Sequence, residues 1–364
     1  MRVRRRAELV CRWRSGGIRI GIPGGAQWAT IQSDLAAVLF GLDEFTDIDD
    51  ITKMSGTDDE ELLRRHIETL LHLGILVTDS DSADAPNWGH EWGSIATRFH
   101  AESRDAEYLV DSPERDSVAA EIAADGDPPA IFKDYPGHPL VKLPDPLPLH
   151  MPTGDVFAAR RTHREFTADT VSMDQLATVL GLSFGTQRYL DGGMFGLQQG
   201  RVSASAGARH EVEAYVVVYA VQGVEPGLYH YSARHHALEL LNAEATRAQV
   251  AELSYGQDAS FSGAFTVLTT AIPARLEWKY RHPRAYRLWM YDAGHYGQTF
   301  ALACTAAGLG PFQTVAFLDS AVEKFLGVDP AEEFAAYLLS AGIPAQADHP
   351  VRASHATILR AENS

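Results

Sequence analysis

The segment VEAYVVVYAV, Val212–Val221, followed after a short turn by GLYHY, Gly227–Tyr231, decides the fold class. Valine and tyrosine in a nearly continuous apolar run are typical of a strand that is buried on both faces. Ala237–Leu241 and Phe265–Ile272 have the same character, and Ala335–Leu339 predicts one more strand. We therefore expect a sheet at the centre of the C-terminal part of the chain.

Helices are predicted among these strands. Ser172 is a helix cap that precedes an apolar stripe, and a long helix is expected from Tyr286 to Ala307, ending at Gly308. A short strand, Thr314–Phe317, and a helix, Ser320–Leu326, complete the predicted elements. Because strands and helices do not alternate strictly, the pattern predicts an α+β fold rather than a doubly wound one.

The N-terminal part, residues 1–80, has a different pattern and predicts a separate domain. Thr57, with Glu60 three residues on, predicts the start of a helix with a leucine-rich stripe, and Ile75–Thr78 predicts a strand after it. We interpret this part as a winged-helix-like domain. The residues leave open whether it is a packing appendage or a surface that grips a peptide or a partner protein; the acids between Asp43 and Glu61 disfavour a DNA reader.

Proline density marks the remaining boundary. Residues 81–152 contain closely spaced prolines, which predict an extended linker and lead-in to a main domain over residues 153–364. No apolar run approaches the length of a bilayer span, and the Arg-rich start lacks the apolar region of a signal peptide, so we expect a cytoplasmic protein without membrane contact.

Composition excludes several kinds of function. The chain has 364 residues and a net charge of −17, which argues against nucleic-acid partners. Its two cysteines are too few for a four-cysteine zinc or iron–sulfur site, and no metal site is predicted. A Rossmann glycine pattern after a strand, a Walker phosphate loop and a nucleophile elbow are all missing from the sequence.

Three short segments carry groups suited to chemistry. Arg160, Thr162 and Arg164 alternate in an extended turn, where two guanidinium groups and a hydroxyl can hold a phosphate. Small residues in a second segment let backbone approach a flat ligand; they are Ser205, Ala206 and Gly207. Lys279 and Tyr280 are adjacent titratable groups suited to removing a weakly acidic C–H proton. Each segment alone also fits an ordinary surface loop.

Taken in order, these segments resemble the nitroreductase-like FMN flavoproteins, and more narrowly the SagB-type azoline dehydrogenases. The family start motif stands as Arg160, Thr162, Arg164 and Phe166, and the family's proline-containing loop stands here as Ala204 to Gly207, with Ala204 in place of the proline. The strand pair Val212–Val221 and Gly227–Tyr231, the Lys-Tyr pair and the glycines after the long helix complete the resemblance. It covers roughly residues 92–345.

The resemblance implies a nitroreductase-like FMN-binding fold, an antiparallel or mixed sheet flanked by helices, and a homodimer with FMN at the interface. Arg160, Thr162 and Arg164 would hold the phosphate and ribityl chain, and Arg287 would be a further phosphate or dimer contact. The small-residue segment would line the flavin ring from one side. The glycine-rich exit of the long helix would meet it as well, through Gly308, Leu309 and Gly310.

The implied activity is oxidation of a thiazoline or oxazoline, borne by a peptide or a carrier protein, to the aromatic azole. Lys279 or Tyr280 would remove the C–H proton while the flavin takes the electrons. A cyclodehydratase or a synthetase is the expected partner. Two alternatives stay open: an NAD(P)H-dependent flavin reductase of nitro, quinone or dehydroamino acid substrates, and a non-catalytic scaffold subunit of a biosynthetic complex.

Overall fold

The computed structural model describes residues 1–6, 9–22, 27–55, 59–80, 92–106, 113–124 and 126–345. The chain divides into two compact units. Unit 1 contains residues 1–108 with 282–284, and unit 2 contains residues 109–281 with 285–364. The predicted boundaries at residues 80 and 152 stay a prediction.

The described residues of unit 1 form two small sheets and three helices, with a further helix, α4 (Gly93–Glu102), after them. One sheet has the order β2-β3-β4 and the other β5-β1-β6. Its strands are β1 (Arg2–Arg5), β2 (Val10–Arg14), β3 (Gly17–Gly21), β4 (Ala29–Ile31), β5 (Thr46–Asp47) and β6 (Leu76–Thr78). The helices between them are α1 (Ser33–Phe40), α2 (Ile48–Ser55) and α3 (Glu60–His72).

The start of α3 differs from the prediction. Thr57 lies outside the described residues, and the helix is capped by Asp59, whose Oδ1 accepts a 2.9 Å hydrogen bond from the Leu62 amide. The predicted apolar stripe is confirmed, since Leu63, Ile67 and Leu70 are buried in the core of this unit. The strand predicted at Ile75–Thr78 is confirmed as β6, which pairs with β1. The winged-helix likeness stays a prediction.

Unit 2 is organised around one seven-stranded sheet with the order β14-β15-β13-β10-β11-β12-β7, in which all neighbouring strands are antiparallel. A separate hairpin pairs β8 with β9. The strands are β7 (Leu140–Lys142), β8 (Thr186–Asp191), β9 (Leu197–Arg201), β10 (Val212–Val218), β11 (Gly227–Ser232), β12 (Ala237–Asn242), β13 (Phe265–Ala271), β14 (Gly310–Thr314) and β15 (Phe334–Gly342).

Eight helices belong to the described part of unit 2. They are α5 (Pro113–Ala124), α6 (Thr153–Ala159), α7 (Met173–Phe184), α8 (Arg247–Leu253), α9 (Asp258–Phe261), α10 (Ala274–Glu277), α11 (Leu288–Ala306) and α12 (Asp319–Leu326). Together with the antiparallel sheet they confirm the predicted α+β class. Among the described residues, no helix is long and apolar enough to span a membrane.

The continuous apolar run that predicted β10 has a structural cause. Val216 and Val218 face one core with α7 and α11, while Tyr215 and Val217 face a second core with α8 and α12. Because both faces of the strand are covered, every residue of β10 is buried and the usual alternation of polar and apolar residues is lost. The strand therefore lies at the centre of the domain.

Some helices and strands lie where the sequence predicts them, and others do not. Ser172 caps α7 in a capping box with Gln175, as its position predicts. The strand expected at Thr314–Phe317 lies earlier, at β14. The β8–β9 hairpin was not predicted, because β8 is polar and mostly exposed and carries no apolar pattern.

Candidate functional site

Within unit 2, the small-residue loop (Ser205–Gly207) contacts the Lys-Tyr pair (Lys279 and Tyr280), although the two are distant in sequence. Gly207 adopts a left-handed conformation with φ of +60°. A Cβ added there would lie 2.5 Å from Tyr280 Oη and 2.8 Å from Lys279 Nζ. Only glycine allows the backbone to approach these side chains so closely. The structure therefore brings three of the predicted site residues into one place.

Aromatic rings border the lysine of this pair. Lys279 Nζ lies 4.7 Å from the centroid of the Phe195 ring, which belongs to the turn between β8 and β9. Phe195 packs edge-on against Trp278 at 6.0 Å, and the guanidinium of Arg209 lies 5.0 Å from a Trp278 ring centroid. Lys279 and Arg209 thus each lie near an aromatic ring that attracts a cation. The hairpin that sequence reasoning missed thus contributes a residue to the site.

Two buried carboxyl groups support the small-residue loop from α11 and from the start of β10. Asp292 Oδ2 accepts a 2.8 Å hydrogen bond from the Ala206 amide. Ser205 Oγ lies 3.4 Å from Glu211 Oε2, to which it donates, and it accepts a 2.8 Å hydrogen bond from the His210 amide. Burial, followed by the negative charge of Asp292, raises the pKa of Glu211 to about 8. Two acids without a predicted role therefore hold the loop.

His210, at the end of the loop, is neutral in the folded chain. Its ring lies 2.8 Å from Tyr296 Oη on one side and 2.8 Å from the Gln199 carbonyl on the other. The Nε2–H group donates to the carbonyl, so Nδ1 accepts from the tyrosine hydroxyl. Burial, with the nearby charge of Arg201, lowers the pKa of His210 to about 3. This histidine orders the loop and carries no charge near neutral pH.

An ion pair anchors the short helix that leads to the Lys-Tyr pair. Arg275 in α10 lies 2.6 Å from Glu213 Oε1, and both side chains are almost fully buried. The same guanidinium donates to the carbonyls of His210 at 2.8 Å and Ala130 at 3.0 Å. The pair thus ties the small-residue loop, α10 and the lead-in segment together. Neither residue was singled out in the sequence as part of a site.

The Arg-rich turn (residues 160–164) contacts the glycine-rich segment that follows α11. His163, in the middle of this turn, donates its amide to the Pro311 carbonyl at 2.8 Å. A Cβ added at Gly310 would lie 2.8 Å from the His163 ring, so glycine is required for this contact. Arg160 is half-buried, while Thr162 and Arg164 are exposed. The Arg-rich turn is thus held next to the segment that follows the long helix, through His163.

The predicted cofactor residues form two groups within one chain. Asp292, which binds the small-residue loop, and Ala306, after which the Gly308–Gly310 segment begins, are about 21 Å apart along the axis of α11 at ~1.5 Å per residue. Arg287 precedes α11, at the end of the helix that is nearer to Asp292. One group therefore carries the small-residue loop and the Lys-Tyr pair, and the other carries the Arg-rich turn.

Comparison with known proteins gives the family. Residues 157–343 match the model of the nitroreductase family, which is more than half of the chain. The chain belongs to the nitroreductase family. The match covers both site groups, from the Arg-rich turn to the final strand, and leaves residues 1–108, the main part of unit 1, outside the family domain.

Two relatives come from one bacterium, Rhizobium leguminosarum bv. trifolii. The trifolitoxin-processing protein TfxB is 30% identical over 203 residues, which are 55% of this chain and 48% of that protein. The trifolitoxin operon protein TfxC is 25% identical over 299 residues, 76% of this chain and 80% of that protein. The chain thus matches about half the length of TfxB and most of TfxC.

A solved structure supports the fold. A nitroreductase-like protein of Anabaena variabilis is 22% identical, with a TM-score of 0.54, over 74% of this chain and 50% of that one. At this identity the similarity shows the fold alone. It agrees with the antiparallel sheet and flanking helices described above, and the nitroreductase fold predicted from the sequence is confirmed.

Proposed function

We propose that this protein is an FMN-dependent oxidase or dehydrogenase of the SagB type, which converts a peptide- or carrier-bound thiazoline or oxazoline to the aromatic azole. The observation that supports it most strongly is the contact of the Gly207 loop with Lys279 and Tyr280. It joins a backbone segment able to lie against a flat ring with two groups able to accept a proton. The similarity to a trifolitoxin-processing protein supports a role in natural-product processing.

The residues present fit FMN. Arg160 and Arg164 supply two cations for the phosphate, and Thr162 a hydroxyl for the ribityl chain. Gly207 and Gly310 lie in close contact with the side chains of Tyr280 and His163, so these glycines bring the backbone against residues of the two site groups. When bound, FMN would supply the two-electron acceptor for the oxidation. Membership of the nitroreductase family supports the same choice of cofactor.

The chain's own part in the reaction is proton removal and alignment. Oxidation of an azoline to an azole removes two electrons and two protons, and the C–H next to the C=N bond is the acidic one. We assign its removal to Lys279 or Tyr280, whose side chains lie together over the Gly207 backbone. The ring of Phe195 lies 4.7 Å from Lys279 Nζ and limits the directions in which this side chain can point.

A homodimer would unite the two site groups. They lie toward opposite ends of α11 in one chain, so a second copy is proposed to bring its Arg-rich turn to the loop of the first. A surface suited to this contact runs along α11, where a cavity of about 380 Å³ is lined by apolar side chains including Met290 and Phe317. Val315 beside it is 74% exposed, an apolar surface that pairing would cover.

Unit 1 offers a surface for the peptide part of the substrate. A groove of about 240 Å³ lies between β4, α1 and α3 and is lined by apolar side chains such as Leu35, Leu62 and Leu70. Among the described strands, β4 pairs only with β3, so its outer edge has free backbone donors and acceptors. We propose that an extended segment of the substrate adds to this edge as a strand.

The proposal is tested by turnover of two substrates, a free azoline and the same azoline within a peptide. Lys279→Ala combined with Tyr280→Phe should lower kcat about 10²–10⁴-fold for both substrates and leave FMN bound, because only the proton acceptor is lost. Lys324→Ala, which removes an exposed lysine on α12, is the matched control and should turn over normally. Normal turnover by the double variant would refute the base assignment.

The same pair of substrates tests the groove. Leu62→Glu puts a charge into the apolar groove at a side chain that is 41% exposed, so folding should be kept. It should raise KM for the peptide substrate at least tenfold and leave the free azoline unaffected. Arg65→Glu, an exposed position on the same helix outside the groove, is the control. An unchanged peptide KM in Leu62→Glu would contradict peptide binding there.

A further inference from the structure

The loop that lies against the Lys-Tyr pair is held in a strained backbone conformation. Gly207, Ala208 and His210 have φ values of 60°, 54° and 46°. Such values are easy for glycine but strained at other residues. The loop therefore keeps this shape only because surrounding contacts hold it.

Two carboxyl groups provide contacts on its buried side. Asp292 accepts the Ala206 amide, and Glu211 accepts the Ser205 hydroxyl. The exposed fractions of Glu211 and Asp292 are 0% and 2%. A buried carboxylate needs a donor or a cation for each oxygen. The charge of this buried pair must therefore be neutralised by a group within the protein.

The hydrogen bonding of the Glu211 carboxyl group indicates how the pair is neutralised. Glu211 Oε1 is fully buried and has no hydrogen-bond donor among the described groups. Asp292, which accepts the amide of Ala206 next to Ser205, places a second negative charge near Glu211; together with burial this raises the pKa of Glu211. Two ionised carboxylates repel each other and neither carries a hydrogen, whereas one proton on the pair supplies the missing donor and removes one of the two buried charges.

We infer that Glu211 and Asp292 share one proton, and that this shared proton holds the Ser205–Gly207 loop in place beside Lys279 and Tyr280. Glu211 is thus a positioning residue for the site, acting through Ser205 and the backbone. Its relevance to catalysis rests on the proposed function, but the shared proton itself is a property of the folded chain without cofactor. Loss of the proton would leave two buried negative charges and loosen the loop.

The charged and titratable groups around the pair are compatible with this state. Arg201 of β9 donates to the hydroxyl of Tyr296 of α11, which also bonds the neutral His210. Burial raises the pKa of Tyr296, and the charges of Glu211 and Asp292 act in the same direction. His295, one turn along α11, has its Nδ1 3.7 Å from Asp292 Oδ1 and is half exposed. Arg275 of α10 is already paired with Glu213, and Lys279 approaches the far side of the loop at Gly207.

The shared proton makes the stability of the folded chain depend on pH. The pKa of Glu211 is raised from its ordinary 4.5 to about 8 by burial and by Asp292. Between these values the folded chain holds a proton that the unfolded chain has released, so stability falls as pH rises from about 4.5 to 8. This is opposite to the usual behaviour of a buried, ion-paired carboxylate.

The test uses the full chain without cofactor. Between pH 6 and pH 8.5 the contribution of Glu211 should lower the Tm of the unaltered chain by about 5–10 °C. Glu211→Gln keeps a hydrogen-bond donor toward Asp292 and has no proton to lose, so this part of the slope should vanish. Glu213→Gln, at an equally buried glutamate paired with Arg275, should unfold at lower temperature but keep the slope. Equal slopes in Glu211→Gln and the unaltered chain would overturn the inference.

Two measurements need no variant. The infrared spectrum of the folded chain at pH 7 should contain the C=O stretch of a protonated carboxyl group, which is lost by pH 10. Hydrogen exchange of the Ala206 amide should accelerate above pH 8 relative to the Val217 amide in β10, since the loop loosens and the strand does not. Absence of the carboxyl band at pH 7, or a constant exchange ratio, would contradict the shared proton. Neither outcome bears on azoline oxidation.

Discussion

Glu211 and Glu213 are two residues apart, both buried, and behave in opposite ways. Burial works against charge on both. At Glu213 it is outweighed by the ion pair with Arg275 and the hydrogen bond to His230, so the pKa falls to about 2. At Glu211 burial is joined by the negative charge of Asp292, and the pKa rises to about 8. The partner, not the depth of burial, decides which glutamate is ionised.

The two glutamates therefore have different roles in the site. The Glu213–Arg275 ion pair joins β10 to α10 and, through the His210 and Ala130 carbonyls, to the loop and the lead-in segment. It fixes the position of the short helix before Lys279, and Glu213 stays ionised at ordinary pH because its pKa is lowered to about 2. The Glu211–Asp292 pair touches the loop itself and, by our inference, depends on one proton.

The largest effect is expected from breaking the ionised pair. Arg275→Met leaves Glu213 buried without its cation and should lower the free energy of unfolding by about 3–5 kcal/mol, measured by urea denaturation. The double variant with Glu213→Gln should recover part of this loss, because no unpaired charge is left. A loss below about 1 kcal/mol in Arg275→Met would show that the pair is not an anchor.

A smaller effect should follow from altering the loop that Glu211 supports. Gly207→Ala strains a residue at φ +60° and places a methyl group 2.5 Å from Tyr280 Oη. Stability should fall by about 1–2 kcal/mol, and turnover should fall with it because Lys279 and Tyr280 must move.

Gly256→Ala is the matched control for that prediction. Gly256 has a φ of +71°, and an added Cβ there meets nothing within 4 Å. It should show a similar loss of stability with normal turnover. Equal turnover in the two variants would mean that the contact between the loop and the Lys-Tyr pair does not matter for the reaction.

Much of the fold was predictable because the sheet is buried on both faces and its strands are rich in valine, leucine and tyrosine. The Ser172 cap was predictable for a similar local reason. β14 was misplaced because it begins with Gly310 and Pro311, which indicate a turn; the proline is tolerated there because β14 is an edge strand. The β8–β9 hairpin is polar and gave no signal.

The site was predictable only in part. The Lys-Tyr pair and the small-residue loop were found as segments, and their contact required the fold. The sequence did not reveal Glu211, Arg275 or the role of Asp292. The residues around a glutamate at the start of an apolar strand do not indicate which side chain it will contact in the fold. Only the tertiary contacts determine that one acid meets an arginine and the other meets a second acid.

The central claim is tested most directly by mixing the FMN-loaded protein with an azoline-bearing peptide in the absence of oxygen and of nicotinamide cofactors. Absorbance of the bound flavin is followed while the product is analysed for the azole. We predict that the yellow colour bleaches with one azole formed per flavin. Bleaching by NADPH alone, with none by the azoline peptide, would contradict the account and favour a flavin reductase, and a chain that takes up no FMN would indicate a scaffold.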